Sequence, residues 1–306
     1  RSAVGTRLDC GWWPVAADPH GRNTWYFGGS CAAWGRGRCG DAERELYKQA
    51  GDTASQFGVT FDGVAAADIA AQNPAFAWLR VLRAPISGSV RSSLNEDGAF
   101  EPLNATLQIG EGVVQPNPNA APIPFDGLRS YFSYNPDEKL LRFDELSVQS
   151  KWVSGRIEGA ASLGMEPDGK LGNLVAQMRL TNLEANPADV YADPISIQGA
   201  DVDVRIAFNP FHLTLGRMDI NDGDTTLNVS GDLKAGADGW QVALDAGLDR
   251  IAPARLLELW PEKAKIKTRT WVAENIYDGA LSDISVAFRL RPGAKPETHM
   301  SFDFAD

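Results

Sequence analysis

Chemistry in this 306-residue chain would rest on few groups, because it holds only three histidines and three cysteines. Cys10, Cys31 and Cys39 all fall in the first forty residues, with His20 among them. Their spacing lacks the paired C-x-x-C pattern of a zinc site. Two of them could form a redox pair and leave one free thiol. Gly28-Gly29-Ser30-Cys31-Ala32 approaches a nucleophile elbow but lacks the last glycine and a preceding strand. Asp219 to Asp224 approaches a calcium loop, yet its twelfth position is Ser230 where a bidentate Glu is needed. A hairpin turn is the simpler reading there. His20, His212 and His299 have no second ligand at a metal-like spacing. His212 lies between Phe211 and Leu213, which places it on the polar side of a strand. Trp152 and Trp240 could be sugar platforms or strand-core residues. No carboxylate pair stands out for glycoside hydrolysis. The chain is therefore read as non-enzymatic, with no catalytic residue, no metal and no cofactor.

Charge points the same way. The formal net charge of −11 disfavours nucleic acid, whose binding rests on neutralising phosphates. No apolar run approaches the ~18 residues that cross a bilayer. Residues 1–40 differ from the rest, with four of the nine tryptophans, no Lys, Glu or Ile, and a local charge of +3. No strand or helix period is visible in them. We read this segment as anomalous, the product of out-of-frame translation, and place no function in it.

Residues 41–85 are expected to be a helical lead-in. A polar helix is predicted over 41–57, and a second over about 62–83, broken at Asn73-Pro74. Phe76, Leu79 and Leu82 would share its face. From Ile86 the period changes to two. Val202, Val204, Ile206 and Phe208 alternate with Asp201, Asp203 and Arg205. Trp240, Val242, Leu244 and Leu248 do the same, as do Leu174 to Leu180, Ile284 to Leu290, and Met300 to Phe304. Turn signals such as Asn135-Pro136-Asp137 and Pro167-Asp168-Gly169 separate these runs. About thirteen strands in an antiparallel meander are expected over 86–306. A helical insert interrupts them at 253–278, broken at Pro261, with Thr268 capping its second helix and Trp260 and Trp271 anchoring it.

So many half-apolar strands exceed what two small helical blocks can cover. The sheet must curl into an open groove or pack on itself as a sandwich. Both predict the same alternation, so both stay open. In either, Val202, Val204, Ile206, Phe208, Trp240, Val242, Leu244 and Leu248 are expected on one side, and in a groove they would line it.

Three stretches carry a family resemblance. LRAPISGSVRSSLNEDGAFEPLNATLQIGEGVV and YFSYNPDEKLLRFDELSVQSKWVSGRIEGAASL each resemble the repeated β unit of the AsmA-like proteins. The third, ARLLELWPEKAKIKTRTWVAENIYDGALSDISVAFRL, resembles the Trp-Pro, Trp-containing helix and Gly-x-Leu-Ser-Asp strand of the large YhdP branch, relatives of TamB. The resemblance spans about residues 64–306. It implies a long periplasmic β-groove that carries phospholipid acyl chains and serves outer-membrane lipid homeostasis. It further implies partners in the inner and outer membranes, and an inner-membrane anchor, an N-terminal helix missing from this chain. The alternative is an adhesin- or lectin-like β-sandwich binding module.

Overall fold

The computed structural model describes residues 13–15, 24–29, 41–47, 55–95, 101–186, 191–222, 225–262, 265–276 and 279–305. The fold is mainly β, and its principal sheet is antiparallel, curled and not closed into a barrel. The chain opens with β1 (Trp13–Val15), β2 (Thr24–Gly29), β3 (Asp41–Tyr47) and β4 (Ser55–Ala65). Helix α1 (Ala66–Gln72), a 3₁₀ turn (Pro74–Val81) and β5 (Leu82–Arg83) follow. Next come β6 (Pro85–Leu94), β7 (Leu103–Ile109), β8 (Gly112–Val114), β9 (Ile123–Phe125), β10 (Gly127–Asn135) and β11 (Leu140–Gln149). The long strands are β12 (Val153–Met165), β13 (Leu171–Ala185), β14 (Ile195–Phe208), β15 (Phe211–Asp222), β16 (Thr225–Gly236) and β17 (Gly239–Ile251). Helices α2 (Pro253–Leu259) and α3 (Ile266–Asn275) precede β18 (Ala280–Leu290) and β19 (Glu297–Ala305).

Sixteen strands form the main sheet in chain order, omitting only β5, β8 and β9, which make a small sheet of their own. Among the described residues there is thus no second large sheet to face the first, and the sandwich left open by the sequence does not form there. The helix expected over 41–57 fails at 41–47 and 55–57, and residues 48–54 lie outside the described residues. Asp41–Tyr47 is a strand paired with Ser55–Ala65, not a helix. The period-two run Phe57, Val59, Phe61 fits the sheet, and its cross-strand pairing overrides the local helical preference of its neighbour. The helical lead-in shrinks to Ala66–Val81, broken at Asn73 as expected. Of the predicted stripe there, Leu79 is buried and Phe76 is exposed. Two short strands, β1 and β2, also lie within the segment that shows no period in sequence. The remainder of residues 1–40, including Cys10, His20, Ser30, Cys31 and Cys39, lies outside the described residues.

Curl has a visible cause. In β4, β11 and β15 the ladder slips by a bulge between Phe61 and Val64, Phe143 and Leu146, and Leu215 and Met218. A bulge bends its strand and adds twist. The residue opposite the start of each bulge is a glycine: Gly88, Gly159 and Gly231. A Cβ there would lie 2.3 Å from Thr106 O, 2.2 Å from Gln177 O and 2.1 Å from Ala243 O respectively. Gly159 and Gly231 also hold φ of 148° and 153°. The device recurs at four-strand intervals, from β6 to β12 to β16.

Two small cores cap the apolar side. Ala66, Ala70 and Leu79 pack on Ile86 and Ile109 near the start of the sheet. Near its far end, Leu256, Trp260 and Val272 of the α2–α3 pair pack on Leu248, Ile251, Leu281 and Ile284. Trp260 anchors that pair as expected, at 6% exposure, but Trp271 does not, at 45%. The inward position of α3 is Val272, and its neighbour Trp271 is turned about 100° away. Thr268 does not cap α3 either, which starts from Lys265 in the left-handed region without a side-chain cap. Arg269 ties the pair together through the carbonyls of Leu257 and Trp260.

Among the described residues one buried side-chain group is unsatisfied. Ser130 sits at 4% exposure between Leu107 and Leu146, and its hydroxyl has no hydrogen-bond partner among the described residues. Ser130→Ala is expected to raise stability by about 1 kcal/mol in urea unfolding, because the stranded hydroxyl carries a desolvation cost that Ala lacks.

Candidate functional site

Directly paired residues on antiparallel strands share a face, so the ladder fixes which side chains meet. Val202 pairs with Met178 and Met218, and Met218 with Val229. Val229 pairs with Ala246, Ala246 with Val286, and Val286 with Met300. A second rung runs Ala176, Val204, Leu215, Gly231, Leu244, Phe288. A third runs Leu174, Ile206, Leu213, Leu233, Val242, Leu290. Phe208 pairs with Phe211, whose ring meets Trp240 edge-on at 6.0 Å. Leu248 continues the same face through Leu227 and Ile284. All eight residues singled out from sequence therefore share one face of the sheet. The rungs extend back through Phe132 and Phe143 of β10 and β11, whose rings lie 5.9 Å apart.

This face is apolar but not sealed. Val202, Val204, Ile206, Phe208, Trp240, Val242 and Leu244 are all half-buried, and only Leu248, under the α2–α3 core, is buried. Ten strands, β10 to β19, span about 43 Å across at ~4.8 Å per strand. The result is a long trough with an aliphatic floor, capped near each end.

The opposite face is charged. Arg179 reaches Asp201 at 3.0 Å, Arg217 reaches Asp203 at 3.0 Å, and Gln177 also donates to Asp203. Arg289 grips both carboxylate oxygens of Asp245, at 2.7 and 2.9 Å. Such exposed pairs add little stability. Their role is to keep one face wet while the other stays dry, since a one-residue slip would exchange the two.

Among the described residues, His212, His299 and Asp219 lie on the charged face. His212 Nε2 bonds Asp232, and Thr214 bonds both His212 Nε2 and Asp232. A hydrolytic triad needs the carboxylate on the other ring nitrogen, so no proton relay forms. The hydrogen bond from His212 holds the Asp232 carboxyl below the usual carboxylate range. His299 pairs with Ala287 across the β18–β19 ladder. Asp219 of the candidate calcium loop lies in β15, accepting from Asn228 and facing Arg217. Among the described residues no three His, Cys, Asp or Glu gather as a metal site. The Trp240 indole N–H donates to Ala121 O at 2.7 Å, and its ring packs on Phe211, so it serves as an anchor.

No family model, curated protein or solved structure matches the chain. The alternation in sequence marks five of the strands that build the floor, β13, β14, β17, β18 and β19, with the eight lining residues on β14 and β17. Sequence reasoning did not name Leu213, Leu215, Met218 and Ile220 of β15, although a signal was present. Their alternation changes phase at Gly216-Arg217, and that phase change is the bulge.

Proposed function

We infer that this chain is a non-enzymatic lipid-carrying segment, whose trough accepts phospholipid acyl chains on its floor with headgroups toward the open side. The observation that carries this reading is the half-exposed aliphatic floor, continuous over ten strands and faced by no second large sheet among the described residues. A soluble protein seldom leaves a contiguous apolar patch beyond a few hundred Å² without a partner for it. A flexible hydrocarbon chain suits such a floor, because burial in a long apolar trough is non-directional and requires no polar match. The AsmA-like resemblance adds the setting: a periplasmic protein anchored in the inner membrane, delivering lipid toward the outer membrane. Transport along such a floor needs no covalent step.

Photo-crosslinkers test this reading. Placed at Val204 and Leu244 they are expected to capture phospholipid, whereas at Asp203 and Asp245 they capture none. Equal capture at all four positions, or none at any, removes the lipid reading. Capture of glycan or protein instead favours a binding module.

A further inference from the structure

The loop joining β8 to β9 touches the hairpin joining β16 to β17, 118 and 119 residues further along the chain. Asn117 Nδ2 donates to Ala235 O at 3.1 Å and to Gly236 O at 3.3 Å. Asn119 Nδ2 donates to Ala237 O at 2.6 Å, and the Trp240 indole donates back to Ala121 O at 2.7 Å. Ala120 and Ala235 are buried in the contact. Beside it, Trp78 of the 3₁₀ turn meets Phe208 of β14, ring centroids 5.7 Å apart.

The loop is folded on its own account. Asn117 Oδ1 accepts from the backbone N–H groups of Asn119 and Ala120, and Gln115 donates to Ala120 O. The β8–β9 arm springs from the β7–β10 part of the sheet. Its tip thus ties that part to the turn of β16–β17, beside the floor residues Phe208, Phe211 and Trp240. No ladder joins the two tips; they are held by side-chain amides and one indole on turn carbonyls. A contact made of a few such bonds, between two units each bonded internally, opens at less cost than the long ladders of the main sheet beside it.

We propose that this contact is a latch across the trough, which opens without unfolding the sheet and lets an acyl chain enter or leave from the side. It rests on the reading of the trough as a lipid carrier. The test is the double variant Asn117→Asp, Asn119→Asp. Asp keeps the Oδ1 acceptor that folds the loop, removes both amide donors, and sets carboxylates against carbonyl oxygens. Amide exchange in residues 112–125 is expected to accelerate on the order of 30-fold, from two to three lost hydrogen bonds, with β13 and β14 unchanged. Release of preloaded pyrene-labelled phosphatidylethanolamine to phosphatidylcholine vesicles is expected to accelerate with it. Unchanged exchange at 112–125, or equal acceleration in β13 and β14, overturns the latch. Uptake of the probe with unaltered release overturns the gate alone and leaves the lipid reading intact. No uptake by the unsubstituted protein removes the lipid reading and the gate with it.

Discussion

Val204→Asp and Leu244→Arg are each expected to cut acyl-probe affinity about 100-fold, as an unpaired charge on an apolar floor costs a few kcal/mol. Both residues lie on one rung, separated by Leu215 and Gly231. A charge at either end therefore interrupts the same stretch of floor. The matched controls are Asp203→Asn and Asp245→Asn on the charged face. Asp245→Asn weakens the grip of Arg289, an exposed pair worth about 1 kcal/mol or less, and leaves the floor untouched. Titration with a fluorescent phospholipid, alongside circular dichroism to verify folding, separates the two sets. Equal loss in both sets would mean that the trough does not carry the ligand.

The second large effect falls on the fold. Gly159→Val and Gly231→Val are each expected to cost about 3–5 kcal/mol, combining left-region backbone strain with overpacking. The new Cβ would meet a backbone carbonyl at 2.2 or 2.1 Å, and backbone in mid-ladder cannot move aside as a flexible side chain would. Gly169 is the control. It holds φ of 82° in an open turn with nothing within 4 Å of a Cβ, so Gly169→Ala should cost only about 1 kcal/mol. Urea unfolding of the three variants compares them directly. A small loss at Gly159 and Gly231 would show that the curl does not depend on these close approaches.

Much of this architecture is legible in the residues. Strict alternation in Val202–Phe208 and Trp240–Leu248 is enough to place eight side chains on one face, because a period of two leaves a strand only two choices. Alternation is silent on what that face meets, so curled sheet and sandwich stay equivalent until the pairing order is seen. The Asp144-Glu145 and Gly216-Arg217 pairs are readable in hindsight as phase breaks, each followed by an apolar run on the same face. Asp41–Tyr47 misleads for another reason: its charged, evenly mixed composition suits a helix, while its strand pairing depends on partners in β2 and β4, outside the local window. The latch has no sequence signature at all. Asn117 and Asn119 read as ordinary turn residues, and their acceptors are backbone carbonyls that any residue could supply.

The strand order has a consequence for how the chain acquires its structure. Every ladder in the main sheet joins strands that follow one another in chain order, and six of the fifteen are linked by only two to five residues. Contacts of short sequence separation lose little loop entropy and form early. Folding can begin at any of the long hairpins and spread to either side, as in a stacked repeat array. The Asn117–Ala235 and Asn119–Ala237 contacts lie outside that scheme, because both parts of the sheet must exist before the two tips can meet. They belong to the last step of folding, and are the natural first step of its reversal.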